Sequence, residues 1–215
     1  MILIPVKNLS TAKQRLASML DQPTRTELAQ AMLLDVLHAV ADCSAKQVAI
    51  VTTDPYATRL AQEFCFETIA DNNVSETAAI ELATQVCESR RIESTLVIPG
   101  DIPLITAREL DQILKAAAVE GSVLVPAGDG RGTNAIYRRP AGLFPLRFGN
   151  DSFKPHLAAA RATGKPCVVL SLPGITLDVD NPSDLRLLSE ASGDTHAQRL
   201  IRRWNVATLP IAANQ

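Results

Sequence analysis

The chain has 215 residues, 47% of them hydrophobic, enough to bury one sizeable core but thin for two separate domains. Lysine and arginine number 21 against 23 aspartate and glutamate, a formal net charge of −2, so the chain lacks the basic excess that would let attraction to a nucleic-acid backbone dominate its binding. The apolar opening MILIPV is interrupted at Lys7, well short of a signal-peptide core or a membrane span.

These bounds predict one domain over 1–215, in the cytoplasm, as a monomer or homodimer, with no nucleic acid and no membrane as partner. Along the chain, short runs rich in Val and Ile alternate with longer stretches of helical period, the pattern of strands joined by crossover helices. Strands are predicted over 2–6, 47–53, 67–70, 94–99, 122–126, 133–138 and 167–170. The clearest helix follows Pro23, where Leu28, Met32, Val36 and Val40 form an apolar stripe. Further helices are predicted over 56–64, 76–89, 106–118 and 152–163. The fold class is α/β: a mostly parallel sheet with helices on both faces. No long helix separates the strands at 122–126 and 133–138, so a small antiparallel excursion is expected there, acting as a lid over the sheet's carboxyl edge. The loop 127–132 (AGDGRG) reads as a flexible substrate loop. Cys43, Cys65, Cys87 and Cys167 are widely spaced in apolar segments and read as reduced core residues.

Four constellations carry chemistry. IPVKNLSTAKQRL runs from a strand into a polar loop, where Lys7, Lys13 and Arg15 can face the oxygens of a triphosphate; the plainer reading is a solvated loop. VIPGDIPL ends a buried strand in Asp101, held between two prolines and a glycine, where a metal-bound phosphate needs a carboxylate; a turn or capping aspartate is the alternative. In LDVDNPSDL the extended alternation aims Asp178 and Asp180 to one side, so that they can share a cation, while Asn181, Pro182 and Asp184 read as helix cap, first residue and first-turn acid. GRGTN and RFGNDSF offer small hydroxyls and free backbone amides, and Ser152, near the start of a helix, can bind a phosphate or carboxylate of a second substrate, against ordinary turn and cap chemistry. His156 reads as a solvated or capping histidine, because an ionised phosphate nucleophile needs no base. Trp204, with Ile201 and Val206, reads as a tail packed on the body.

Taken in order, IPVKNLSTAKQRL, PGDIPL, GRGTNAIY, FGNDSF and LDVDNPSDL resemble the guanylyltransferases of coenzyme F(420) biosynthesis across nearly the whole chain. The resemblance implies a single-domain, nucleotidyltransferase-like (Rossmann-like) fold. The implied activity joins the GMP part of GTP to 2-phospho-L-lactate, phosphoenolpyruvate or 3-phospho-D-glycerate and releases pyrophosphate. It further implies that Thr133, Gly149 and Ser152 bind the phospho-acid and that Asp101, Asp178 and Asp180 hold Mg2+. Lys7, Lys13 and Arg15 would hold the GTP phosphates, with Lys13, Arg15 and Asp101 catalytic and Pro99 and Glu76 on the nucleotide side. Family members commonly carry a Gly-Leu-Asn-Ala-like stretch where this chain has Val74-Ser75-Glu76-Thr77-Ala78. There Glu76 is either an acceptor for guanine's N1–H and exocyclic amine or a first-turn glutamate behind a Ser75 cap. The alternatives are a nucleotidyltransferase for a sugar phosphate or a molybdopterin, and a non-catalytic nucleotide-binding regulatory domain. A dinucleotide-dependent dehydrogenase is excluded, because the first strand-to-helix turn lacks G-x-G-x-x-G.

Overall fold

The computed structural model of the chain describes residues 1–71, 75–117, 119–149 and 151–204. Val74, Ala118, Asn150 and Val206, each part of a segment singled out above, lie outside the described residues. Seven strands form one sheet: β1 (Ile2–Pro5), β2 (Val48–Val51), β3 (Glu67–Ile69), β4 (Thr95–Val97), β5 (Gly121–Pro126), β6 (Thr133–Arg139) and β7 (Cys167–Val169). Their order is β3-β2-β1-β4-β6-β5-β7. β6 runs antiparallel to both neighbours, β4 and β5, and the remaining pairs are parallel.

β1 and β4 lie near the middle of the sheet, buried on both faces, and the alternation of β1 shows how. Ile2 and Ile4 join one hydrophobic core while Leu3, pointing the other way, joins a second. Helices cover both faces: α1 (Gln22–Ala41), α2 (Pro55–Glu63), α3 (Glu76–Ser89), α4 (Ala107–Ala116), α5 (Phe153–Ala162), the single turn α6 (Pro173–Thr176), α7 (Pro182–Glu190) and α8 (His196–Arg203). α3 and α5 pack the Leu3 face, and α1, α2, α4, α7 and α8 the other.

The expected helix stripe on α1 is wider than its four-residue spacing suggested, because Ala29, Leu33 and Leu37 are buried as well. α8 docks on a different side of α1, the one that carries Glu27, Asp35 and His38. The Asp35 carboxylate on α1 accepts the N–H groups of His196 (2.7 Å) and Ala197 (2.9 Å) at the start of α8, a charge-assisted cap across 161 residues. Ile201 is buried and Trp204 packs partly buried on the same core, as a docked tail should. No helix among the described residues is long and apolar enough to cross a membrane. All four cysteines are free thiols; Cys87 is buried and Cys43 and Cys167 are half-buried. Cys65 is not a core residue: it is exposed, at a positive φ of 55° just past α2, where the chain must turn sharply.

Two expectations about loops are corrected. The antiparallel excursion is β6 itself, inserted into the sheet rather than standing over it as a lid. The 127–132 loop is a tied turn, with Gly128 N–H donating to Thr176 O (2.7 Å), Gly130 N–H to Ala127 O (2.9 Å) and Arg131 N–H to the Asp129 carboxylate (2.8 Å). Backbone bonds of this kind restrain the loop rather than leave it flexible, while Gly132 at its end lines a cavity at the sheet's carboxyl edge.

The segment after β1 folds as two 3₁₀ turns, Leu9–Thr11 and Gln14–Leu16, pinned by the buried side chains of Leu9 and Leu16. Asp54 fixes its position. That buried carboxylate caps α2 through Tyr56 and Ala57 N–H (2.9 and 3.0 Å) and, with its other oxygen, accepts Leu9 N–H (2.9 Å). Asp54→Ala should therefore lower the unfolding free energy by about 2–3 kcal/mol in urea denaturation, and Asp54→Asn, which keeps one acceptor oxygen, by clearly less; equal losses would show that the cap is not what the carboxylate contributes.

Candidate active site

A cavity of about 490 Å³ opens at the carboxyl ends of β1 and β4. Every residue nominated from the sequence lines it: Lys7, Lys13 and Arg15 from the first loop, Pro99 and Asp101 after β4, and Glu76 at the start of α3. Thr133, Gly149 and Ser152 form another part of its wall, and Asp178 and Asp180 complete it. Such placement is general for open α/β sheets, whose strand ends leave a crevice.

The reversal of β6 brings Thr133 there. An antiparallel strand presents its first residues at the edge where its parallel neighbours end, and β4 pairs with β6 in the register Val97 to Ile136. A β-bulge refines the arrangement, since Val125 faces Ala135 but Pro126 faces Thr133, leaving Asn134 as the extra residue. Both Thr133 and Asn134 consequently line the cavity. Strict alternation would have sent Asn134 to the opposite face, and no role of its own is assigned to it from the sequence. Its amide donates to Ile175 O (2.9 Å), Thr176 O (3.2 Å) and Asp178 Oδ1 (3.0 Å), holding the Asp178 carboxylate in place.

Lys13 is the charge at the centre. Its backbone takes the left-handed conformation (φ 55°), which turns its side chain inward, and its Nζ lies 2.5 Å from Asp101 Oδ2 and 2.8 Å from Asp180 Oδ1. Burial opposes a charged ammonium, but the two carboxylates outweigh that cost and hold the Lys13 pKa above the usual lysine range. Burial likewise acts to raise the Asp180 pKa, and Lys13, with Arg15 at 3.4 Å, more than offsets it and brings the carboxyl below its ordinary value. Among the described residues Asp178 has no such cation; burial, partly countered by the Asn134 amide and reinforced by the charge of Asp101, raises its pKa.

Backbone bonds fix these carboxylates relative to one another. Val179 N–H donates to Asp101 O (3.1 Å), and the Asp180 and Asn181 N–H groups donate to the Asp184 carboxylate (2.9 Å each). Asn181 caps α7, Pro182 follows it, and Asp184 completes the capping box, as the sequence suggested. Among the described residues no group of three or more Asp, Glu, His or Cys side chains closes on one point as a ready metal cage. Asp101 and Asp180 instead converge on the Lys13 ammonium.

Glu76 stands in the first turn of α3 behind the Ser75 cap, whose oxygen accepts Ala78 N–H at 3.0 Å, and also faces the cavity. Burial first, and the charge of Asp101 second, push its pKa up to about 7. Lys7 is half-exposed and donates to the buried Asp71 carboxylate (2.9 Å), a partner the sequence gave no means to find. Gly149 has φ +133°, in the region that suits glycine.

The expectation for His156 is overturned. It is neither solvated nor a cap but 1% exposed, with Nδ1 2.9 Å from Thr133 Oγ1 and Nε2 accepting Arg147 N–H at 2.9 Å. The helix register that seats it in α5 could not be read from an isolated histidine. Ser152, at the N-cap of α5, makes no side-chain cap and reaches Thr133 Oγ1 at 3.4 Å.

The profile of the family described as "Guanylyl transferase CofC like" matches residues 1–213. A phosphoenolpyruvate guanylyltransferase from Roseiflexus castenholzii is 36% identical over 203 residues, covering 94% of this chain and 93% of the relative. A 2-phospho-L-lactate guanylyltransferase from Methanothermobacter thermautotrophicus is 30% identical over 209 residues, covering 97% and 92%. A solved structure from Desulfovibrio desulfuricans G20, of a protein named for nucleotide-diphospho-sugar transfer, superimposes with a TM-score of 0.78 at 19% identity over 95% of this chain and 94% of that one, a likeness of fold.

Burial of an imidazole costs stability in acid. Burial, and then the nearby Arg138 charge, lower the His156 pKa from 6.5 to about 4. Between those values the unfolded chain binds the extra proton and the folded one does not, so stability falls as the pH drops through that window. This one group should account for a loss of up to about 3 kcal/mol, and His156→Phe should remove that share of the acid sensitivity in thermal or urea unfolding followed from pH 7 to pH 4. A variant as acid-sensitive as the parent would show that the imidazole is not buried neutral.

Proposed function

The chain belongs to the CofC-like guanylyl transferase family and is a nucleotidyltransferase, and on that premise we propose that it joins GMP from GTP to a small phosphorylated three-carbon acid with release of pyrophosphate. Phosphoenolpyruvate and 2-phospho-L-lactate head the candidate acids, through the named activities of relatives at 30–36% identity, and 3-phospho-D-glycerate is the third. The activity belongs to coenzyme F(420) biosynthesis, and the free thiols suit a reducing cytoplasm.

One observation carries the reading: a buried ammonium between two carboxylates stands in the same cavity as the hydroxyls of Thr133 and Ser152. Nucleotidyl transfer needs that juxtaposition, because both reactants are anions and must be held in line. Lys13, Arg15 and Lys7 would offset charge on the triphosphate. Thr133, Ser152 and the Gly149 backbone would hold the acid, whose phosphate oxygen forms the new bond to the α-phosphorus as the bond to pyrophosphate breaks. That oxygen is already ionised, so no side chain has to take a proton from it.

Mg2+ fits the donor chemistry. The donors are carboxylate oxygens, which suit a hard cation, and Asp101 and Asp180 already converge on one positive centre. With Asp178 beside them the acidic side of the site exceeds the charge of Lys13 and Arg15, an excess that a divalent ion entering with the nucleotide would balance. When bound, such an ion supplies charge neutralisation to the phosphates. Glu76 is the residue of this cavity suited to guanine's donor edge, a carboxylate or carboxylic acid within the nucleotide side of the wall.

The test is pyrophosphate release measured for the common nucleoside triphosphates crossed with the three acids. GTP with one of them should give turnover, and silence in every combination would sink the assignment. Asp101→Asn should then reduce kcat on the order of 10²–10³-fold, the range seen when a group that stabilises transition-state charge is lost. Glu76→Gln should erode the preference for GTP over ATP; an unchanged preference would return Glu76 to the role of a first-turn helix residue.

A further inference from the structure

His156 takes no part in the chemistry set out above, yet its ring is buried between two segments of the acid site. It sits in the first turn of α5, with one nitrogen on Thr133 at the start of β6 and the other on the backbone of Arg147, just before Phe148 and Gly149. The Phe148 ring meets it edge-on, centroids 5.2 Å apart at 66°.

The two hydrogen bonds fix the tautomer. A backbone N–H can only donate, so the Arg147 N–H at 2.9 Å requires a lone pair on Nε2. The neutral ring carries a single N–H, which must then lie on Nδ1, and Nδ1–H donates to Thr133 Oγ1 at 2.9 Å. Ser152 Oγ lies 3.4 Å from the same oxygen, a hydroxyl pair in which either can donate. A hydroxyl oxygen has two lone pairs and one hydrogen. With one lone pair taken by Nδ1–H, Thr133 keeps its hydrogen to donate, either to Ser152 Oγ or to an acceptor that enters the cavity.

We propose that His156 is a positioning residue for the acid site, its Nδ1–H tautomer holding the Thr133 hydroxyl as a donor directed at the anionic substrate. The inference rests on the reading of Thr133 as an acid ligand. A free threonine hydroxyl donates or accepts with equal ease and satisfies itself with water. Here the imidazole N–H occupies it as an acceptor and turns its hydrogen outward, and the groups it must recognise, a phosphate and a carboxylate, are acceptors. The opposite tautomer would set Nε2–H against the Arg147 N–H and make Nδ1 an acceptor competing for the Thr133 hydrogen. Burial of the ring and its lowered pKa agree with a neutral imidazole whose two nitrogens are already committed.

Two measurements decide it. In 15N spectra of the histidine-labelled protein, which has three imidazoles to assign, His156 should show a protonated Nδ1 and an unprotonated Nε2 at neutral pH; a proton on Nε2 overturns the proposal whether or not any variant folds. In steady-state kinetics with GTP and phosphoenolpyruvate, Thr133→Val should raise the KM for the acid roughly tenfold, as loss of a hydrogen bond to an anion does, with the KM for GTP within twofold. His156→Phe should do the same, and the double variant should be no worse than either single one, because the imidazole acts through the hydroxyl. Multiplied effects in the double variant, or an unchanged acid KM in His156→Phe, would overturn the positioning role while leaving Thr133 in the acid site. An unchanged acid KM in Thr133→Val would remove Thr133 from that site, and the inference with it.

Discussion

The Lys13 ammonium is the point at which three distant stretches of chain meet. Its partners Asp101 and Asp180 lie 88 and 167 residues away, and each is held by its own local device. Lys13 depends on a left-handed backbone between two 3₁₀ turns, Asp101 follows a buried strand, and Asp180 is fixed by the α7 capping box. A buried charge is costly without a partner, so the ammonium and the carboxylates each require the other to be in place. The rest of the cavity is arranged around that mutual need. The Asp101 backbone accepts Val179 N–H, Asn134 restrains Asp178, and Asp54 secures the turn on which Lys13 stands.

A second constraint comes from the sheet. If β6 were parallel to β4, Thr133 would lie at the far end of the sheet from Lys13. Its reversal costs no crossover helix, only the short β5–β6 turn, and it brings a hydroxyl and an amide to the edge where the cations stand. The bulge at Asn134 then aims two successive residues into one cavity. Thr133 reaches toward Ser152 and His156, and Asn134 toward Asp178. The acidic and hydroxyl sides of the site are thus joined through two adjacent residues of one strand.

The molecule separates stability from chemistry in a simple way. Below the site, strands carry Val, Ile and Leu on both faces and α1 is apolar on nearly all sides, sandwiched between the sheet and α8. At the site, polar groups are satisfied by bonds that also orient them. His156 shows the pattern most fully: both ring nitrogens are engaged, and one of those bonds occupies a neighbouring hydroxyl as an acceptor.

Much of this was legible in the sequence. Runs of branched apolar residues mark strands because a pleated, doubly buried surface accepts them, and stripes of period near four mark helices because one face must be dry. The seven strands and the helices at 76–89 and after Pro182 follow from those rules, and the cap at Asn181 from the hydrogen-bonding needs of a helix start. The residues lining the cavity were legible through motif and resemblance, since charged and hydroxyl side chains at strand ends have few structural uses. Tertiary structure alone decided the partners. No local pattern pairs Lys7 with Asp71, docks α8 on Asp35, turns Asn134 to the side of Thr133, or buries His156. Each depends on which segments meet in space, and the free energy that selects those meetings, the desolvation of charges and the closing of hydrogen bonds, is a property of the assembled core and not of any one stretch of chain.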